Sequence, residues 1–184
     1  MRIKLAFENI LSELDREKKY INEEVFENTP SRMEKFYTEF FSGLKINPYD
    51  FLKNYIPTNN NDIIIEKNIS FYSMCEHHFL PFFGKISIAY IPNKKIIGFG
   101  DIIKVIEAFS KRPQLQERLT ENIVETIFKG LDCKGVYLFI EAEHLCMTMR
   151  GVKKPGSKIV TIGTRGIFEK DANKRLEIAT FLKN

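Results

Sequence analysis

IIIEKNISFYSMCEHHFLPFFGKISIAYIP, residues 63–92, holds two strand candidates on either side of a short polar stretch. The first, IIIEKNISFYS, is β-branched and aromatic, a composition that suits a pleated, half-buried surface. In the second, GKISIAYIP, alternation puts Ile86, Ile88 and Tyr90 on one face. The short connection between them points to a hairpin, and so to antiparallel pairing.

Two helical patterns follow, DIIKVIEAFSKR and, after Pro113, QLQERLTENIVETIFKG. Two more strand candidates come next, GVYLFIEAEH and SKIVTIGTRGIF, and DANKRLEIATFLK reads as a short terminal helix. The order strand, strand, helix, helix, strand, strand predicts an α+β domain: a mainly antiparallel sheet with its helices on one face. Ahead of it, residues 4–19 read as a helix with Leu5, Ile10, Leu11 and Leu14 near one face. NTPSRMEKFYTEFFSG reads as a second helix, with Thr29 as N-cap, Pro30 in the first helical position and Gly43 as stop. The polar loop PTNNND, 57–62, separates this front end from the rest. The expected organisation is an N-terminal helical segment, 1–58, and an α+β domain, 59–184.

With 43% hydrophobic and 28% charged residues among 184, the composition is that of a globular chain rather than a disordered one. The net charge of +4 favours an anionic ligand, but the charges are spread without a dense basic run, so no nucleic-acid partner is expected. No apolar run approaches the roughly 18 residues of a membrane helix. Glu8, Glu13 and Asp15 interrupt any signal-like stretch at the start, so a cytoplasmic location is expected. Three cysteines, an odd number, fit reduced thiols, and Cys133 reads as a plain buried or half-buried thiol.

The chemistry concentrates in two places. CEHH, 75–78, holds two of the three histidines, and His144 sits two residues before Cys146 in EAEHLCMTMRG. The C-x-x-H spacing of Cys75 and His78 lets both side chains reach one ion from a tight turn at a strand end. Thiolate and imidazole are both good zinc ligands. Cys146, at the end of a different strand, would be the third. Three ligands, with His77 and His144 to spare, suggest an open catalytic zinc with acid–base groups beside it. Two other readings fit the same spacing: a structural zinc closed by a histidine, and buried thiols with hydrogen-bonded histidines and no metal. Glu76 is expected to point away into a structural hydrogen bond. Gln116 and Glu117 open a helix, where Glu117 could accept two hydrogen bonds from a guanidine-like edge or simply face solvent. Arg150, Lys153 and Lys154, beside Gly151 and Gly156, could bind phosphate or form a basic surface loop.

Three segments, FYSMCEHHFLPFFGKISIAYIP, RPQLQERLTENI and EAEHLCMTMRGVKKPGS, resemble the signature segments of GTP cyclohydrolase I, and ENTPSRMEKFYTEFFSGL resembles that family's N-terminal helical segment. The likeness runs in order and nearly gap-free from about residue 28 to the C-terminus. It implies the tunnelling fold, subunits closed into rings, and two rings stacked as a homodecamer. It implies conversion of GTP and water to 7,8-dihydroneopterin triphosphate and formate, the entry to folate or biopterin synthesis. Cys75, His78 and Cys146 become ligands of Zn2+, His144 the proton-transfer residue, and His77 its neighbour. Gln116 and Glu117 would hold guanine; Arg150 and Lys104 would face the triphosphate, with Arg32 reaching in from another subunit. One stretch departs from the pattern. Where the family usually has Leu-Ser-Lys and then Arg, this chain has FGDIIK, with Gly100, Asp101 and Lys104. The rival readings are a related purine- or pterin-binding enzyme of the same fold, such as a deazaguanine reductase, and a non-catalytic ring protein with structural zinc.

Overall fold

A computed structural model describes residues 2–183. The chain divides between Ser42 and Gly43 into two compact units.

The first unit is a helix pair, α1 (Arg2–Leu14) and α2 (Glu23–Phe40). Phe7 packs on Tyr37 across it, ring centroids 5.5 Å apart. Asp15 shapes the connection: its carboxylate accepts from the backbone N–H of Lys19, Tyr20 and Ile21 at 2.9, 2.7 and 2.7 Å. The start of α2 differs from the sequence expectation. The helix begins at Glu23, where the Asn22 side chain accepts from Val25 N, so Pro30 lies inside the helix and Thr29 caps nothing. An Asn cap followed by Glu23 and Glu24 makes a good N-terminus, because both satisfy the positive end of the helix. Of the four apolar residues expected on one face of α1, only Leu11 is buried; Leu5, Ile10 and Leu14 are exposed.

The second unit opens with two 3-10 turns, Ser42–Lys45 and Pro48–Lys53, the first of which begins in the helical unit. A small ribbon pairs β1 (Ile56–Pro57) with β4 (Lys95–Ile96). The main sheet comprises β2 (Ile64–Cys75), β3 (Pro81–Ile91), β5 (Pro113–Gln114), β6 (Gly135–His144) and β7 (Lys158–Gly166). Their order is β5-β2-β3-β6-β7, antiparallel throughout except for the two-residue β5, which runs parallel to β2. The predicted hairpin is present, with Met74 opposite Pro81 and Ile64 opposite Tyr90.

Helices α3 (Phe99–Ser110) and α4 (Gln116–Leu131) cover one face of the sheet. Ile102, Val105, Ile106, Leu119, Ile123 and Ile127 enter a core shared with Ile86, Ile88, Tyr90, Leu138 and Ile140. The expected alternation of Ile86, Ile88 and Tyr90 is thus the buried face of β3. The opposite face is not bare. Short helix α6 (Ile167–Lys170) and α7 (Ala172–Lys183) place Phe168 and Ile178 against Ala89 and Tyr137 in a second cluster. Odd and even residues of β3 and β6 serve different cores, as the two-residue strand period requires.

Register decides what meets at the end of the sheet. Phe82 pairs with His144, and Glu143 with Lys158. The C-terminal ends of β2 and β6 and the N-terminal ends of β3 and β7 therefore lie along one rim.

Candidate metal centre and its surroundings

Cys75 is the last residue of β2. The chain reverses immediately after it: Phe79 N–H donates to Cys75 O at 2.9 Å, and Cys75 N–H to Leu80 O at 2.9 Å, with Phe79 at a φ of 51°. This turn returns His78 to Cys75, with Nδ1 at 3.9 Å from Sγ. Cys146 arrives from the other strand, on the four-residue helix α5 (Leu145–Thr148) that follows β6. The ligand atoms of Cys75, His78 and Cys146 all lie within 4.8 Å of one another, the one such group among the described residues. Tetrahedral zinc, with Zn–S of about 2.3 Å and Zn–N of about 2.0–2.1 Å, spaces its ligands about 3.5–3.8 Å apart. The donor set also asks for a cation. Burial pushes the Cys146 thiol up, and the neighbouring Cys75 pushes it further, with Arg150 opposing. A divalent ion between the two sulfurs reverses that effect.

Glu76 points away, as expected. Its carboxylate takes the Arg118 guanidinium, which holds it below the usual carboxylate range against the opposing effect of burial. Arg118 also donates to Gln114 Oε1 at 3.0 Å and to Pro113 O at 3.2 Å, while Glu76 N–H donates to Gln114 O at 3.1 Å. The CEHH turn is thus stapled to β5 and to the start of α4. Ser73 Oγ adds a buried bond to Ser110 O at 2.7 Å.

His144 is buried, and its ring lies flat on Phe82 at 4.5 Å and 6° between planes. Its Nε2 meets Gln116 Oε1 at 2.8 Å. Burial lowers the His144 pKa, and the nearby Glu117 charge works the other way. Gln116 is 1% exposed, so its side chain serves the interior, whereas Glu117 is exposed in the first turn of α4. Glu117, Thr120, Thr161 and Gly163 line a cleft of 170 Å³.

His77 and His78 are both exposed, their rings 6.2 Å apart and nearly perpendicular. Arg150 is exposed just beyond α5, close enough for its charge to lower the Cys146 thiol. The loop after it carries positive φ at Gly151 and Gly156, 63° and 79°. Lys104 lies elsewhere, nearer the start of α3, while the end of that helix carries the Ser110 carbonyl bonded to Ser73. Arg32 belongs to the helical unit, where it pairs with Glu24 at 3.4 Å. Cys133 is a buried thiol pushed up to about 12 by burial, in keeping with a packing role.

Sequence reading missed Phe82, Arg118 and Thr161. All three act through contacts set by strand register or by the fold of the CEHH turn, and neither is written in residue spacing.

A mainly antiparallel sheet backed by two helices, with a buried histidine and a Cys–His–Cys cluster that could hold a metal ion on its rim, defines an α+β protein. The family model for GTP cyclohydrolase I matches residues 3–183, so the likeness begins well before residue 28. The chain is 54% identical over 183 residues to GTP cyclohydrolase 1 of Fusobacterium nucleatum subsp. nucleatum, covering 99% of this chain and 96% of that protein. It is 54% identical over 155 residues to GTP cyclohydrolase 1 of Clostridium kluyveri, covering 84% of each. The Clostridium perfringens protein of that name is 46% identical over 158 residues, covering 86% of this chain and 85% of that protein. Among solved structures, an archaeosine synthase QueF-Like in the apo form aligns with a TM-score of 0.46 and 16% identity, over 56% of this chain and 93% of that one. The chain belongs to the GTP cyclohydrolase I family.

Proposed function

We propose that the protein converts GTP and water to 7,8-dihydroneopterin triphosphate and formate, the first step of folate or pterin biosynthesis. The observation that carries this reading is the convergence of Cys75, His78 and Cys146 beside the buried His144, in a chain matched by the family from end to end. Cys75, His78 and Cys146 would hold Zn2+. Bound there, the ion supplies a water whose pKa falls from about 15.7 towards about 7, together with Lewis acidity.

The chain's own groups do the rest. Glu117, exposed at the start of α4, accepts from the guanidine-like edge of guanine. Gln116, the residue before it, turns its buried side chain inward instead, with Oε1 2.8 Å from His144 Nε2. His144 moves a proton to the departing imidazole nitrogen; burial lowers its pKa and so favours the neutral ring, which makes the protonated ring the stronger proton donor. His77, exposed beside His78, is a second proton carrier for the later ribose rearrangement. Arg150 and Lys104, with Arg32 from a neighbouring copy, offset the triphosphate charge.

Arg32 belongs to a site completed by another subunit, and the proposed assembly is a homodecamer of two stacked rings. The exposed Leu5, Ile10 and Leu14 on α1 supply apolar surface for such contacts. Among the described residues no helix is long and apolar enough to cross a membrane, and we place the enzyme in the cytoplasm. Incubation with GTP, oxidation and detection of fluorescent neopterin tests the activity; GTP left intact by zinc-loaded protein would reject it.

A further inference from the structure

The hydrogen bonds around Gln116 determine which nitrogen of His144 carries its proton. Thr120 Oγ1 donates its only hydrogen to Gln116 O at 2.8 Å. In the Thr120–Thr161 contact at 2.7 Å, Thr161 must therefore be the donor. Thr161 Oγ1 then accepts from Gln116 Nε2 at 3.1 Å. The same amide nitrogen faces two backbone carbonyls, Ile140 O at 3.3 Å and Ile159 O at 3.1 Å, which can only accept. Turning the amide over would set its oxygen against three acceptors in a buried place and leave those polar groups unpaired. Its orientation is fixed, and Oε1 faces His144 Nε2 at 2.8 Å.

An amide oxygen accepts and never donates. We propose that Gln116, locked by Thr161 and the Ile140 and Ile159 carbonyls, is a positioning residue that keeps the His144 proton on Nε2 and leaves Nδ1 as the lone-pair nitrogen of the ring. Phe82, stacked flat on the ring, restrains it from turning over to exchange the two nitrogens. Gln116 thereby acts through His144 and has no side-chain donor left for a ligand. The hydrogen-bond assignment stands without the proposed reaction; its consequence for turnover rests on that reading.

The chain has three histidines, so labelling them with 15N gives three rings to resolve. In zinc-loaded protein, the signals lost in His144→Phe identify that ring. At a pH where the ring is neutral, the expected spectrum shows its hydrogen on Nε2. Gln116→Leu should give a mixture of tautomers with zinc content unchanged. Its kcat should fall about 10- to 100-fold, with KM for GTP within about threefold, because a misplaced proton affects transfer rather than binding. Thr161→Val should loosen the tautomer, and Thr161→Ser should keep it. A His144 ring protonated on Nδ1 in the unsubstituted protein would overturn the inference whether or not any variant folds. So would an unchanged Nε2–H in zinc-loaded Gln116→Leu. The expected spectrum in a protein that leaves GTP intact would instead count against the reaction and leave the positioning in place.

Discussion

The Asp101 carboxylate accepts a hydrogen bond from Lys104 Nζ at 2.8 Å, one turn along α3. Asp101 is the less accessible partner, its side chain 15% exposed against 54% for Lys104, so the acid tethers the base. This is the FGDIIK stretch, where the resemblance implies a lysine at the position of Asp101. The pair cancels its own charge at a place proposed to meet a triphosphate. Asp101→Asn should release Lys104 and lower KM for GTP about two- to fivefold at low salt, the range expected of a solvent-exposed pair. The gain should shrink as salt rises. An unchanged KM at low salt would mean that this end of α3 faces away from the phosphates.

Metal binding and proton transfer should separate. Cys146→Ser removes a ligand and is expected to lose both zinc and turnover. His144→Ala should keep close to one zinc per chain while turnover falls about 100- to 10,000-fold, the usual range for a lost acid–base group. Elemental analysis and initial rates on the same samples check both. Zinc lost from His144→Ala would assign that residue to the metal instead.

Arg118 touches no proposed ligand, yet it staples the CEHH turn through Glu76, Gln114 and Pro113. Arg118→Ala should weaken zinc binding about 10-fold or more with all three ligands intact, as loss of ligand-orienting contacts does. Competition with a chelator measures it, and wild-type affinity would show that the turn holds itself.

Glu66, at the irregularity in β2, has its Oε2 buried with no hydrogen-bond partner among the described residues. Burial raises its pKa. A carboxyl raised in the folded state favours the protonated form, so its stability contribution is full below the unfolded value, about 4.3. That contribution is lost as pH rises through the folded value. Glu66→Gln should therefore have the higher Tm at pH 8, with the difference disappearing near pH 4. A difference that does not vary with pH would contradict this.

Alternation in β3 and the full extent of β6 were legible because side chains in a strand alternate faces and one buried face imposes that pattern on the sequence. The approach of Cys75 and His78 was legible because C-x-x-H spacing lets one tight turn bring both side chains together. The start of α2 was not, because a proline inside a helix reads as a beginning, and the Asn22 cap lies eight positions ahead of Pro30. Nor was the use made of Gln116. Whether a polar residue at a helix start faces ligand or interior depends on which strand lies beneath it, and here Thr161 and the Ile159 carbonyl on β7 take up the amide.

Formate and neopterin, measured together on one sample, test the central claim most directly. Zinc-loaded protein given GTP should release one formate for each dihydroneopterin triphosphate, read as neopterin after oxidation. Chelation should abolish both products and added zinc should restore both. Equal yields of both products before and after complete removal of zinc would contradict the account, as would intact GTP in the presence of a full complement of the metal.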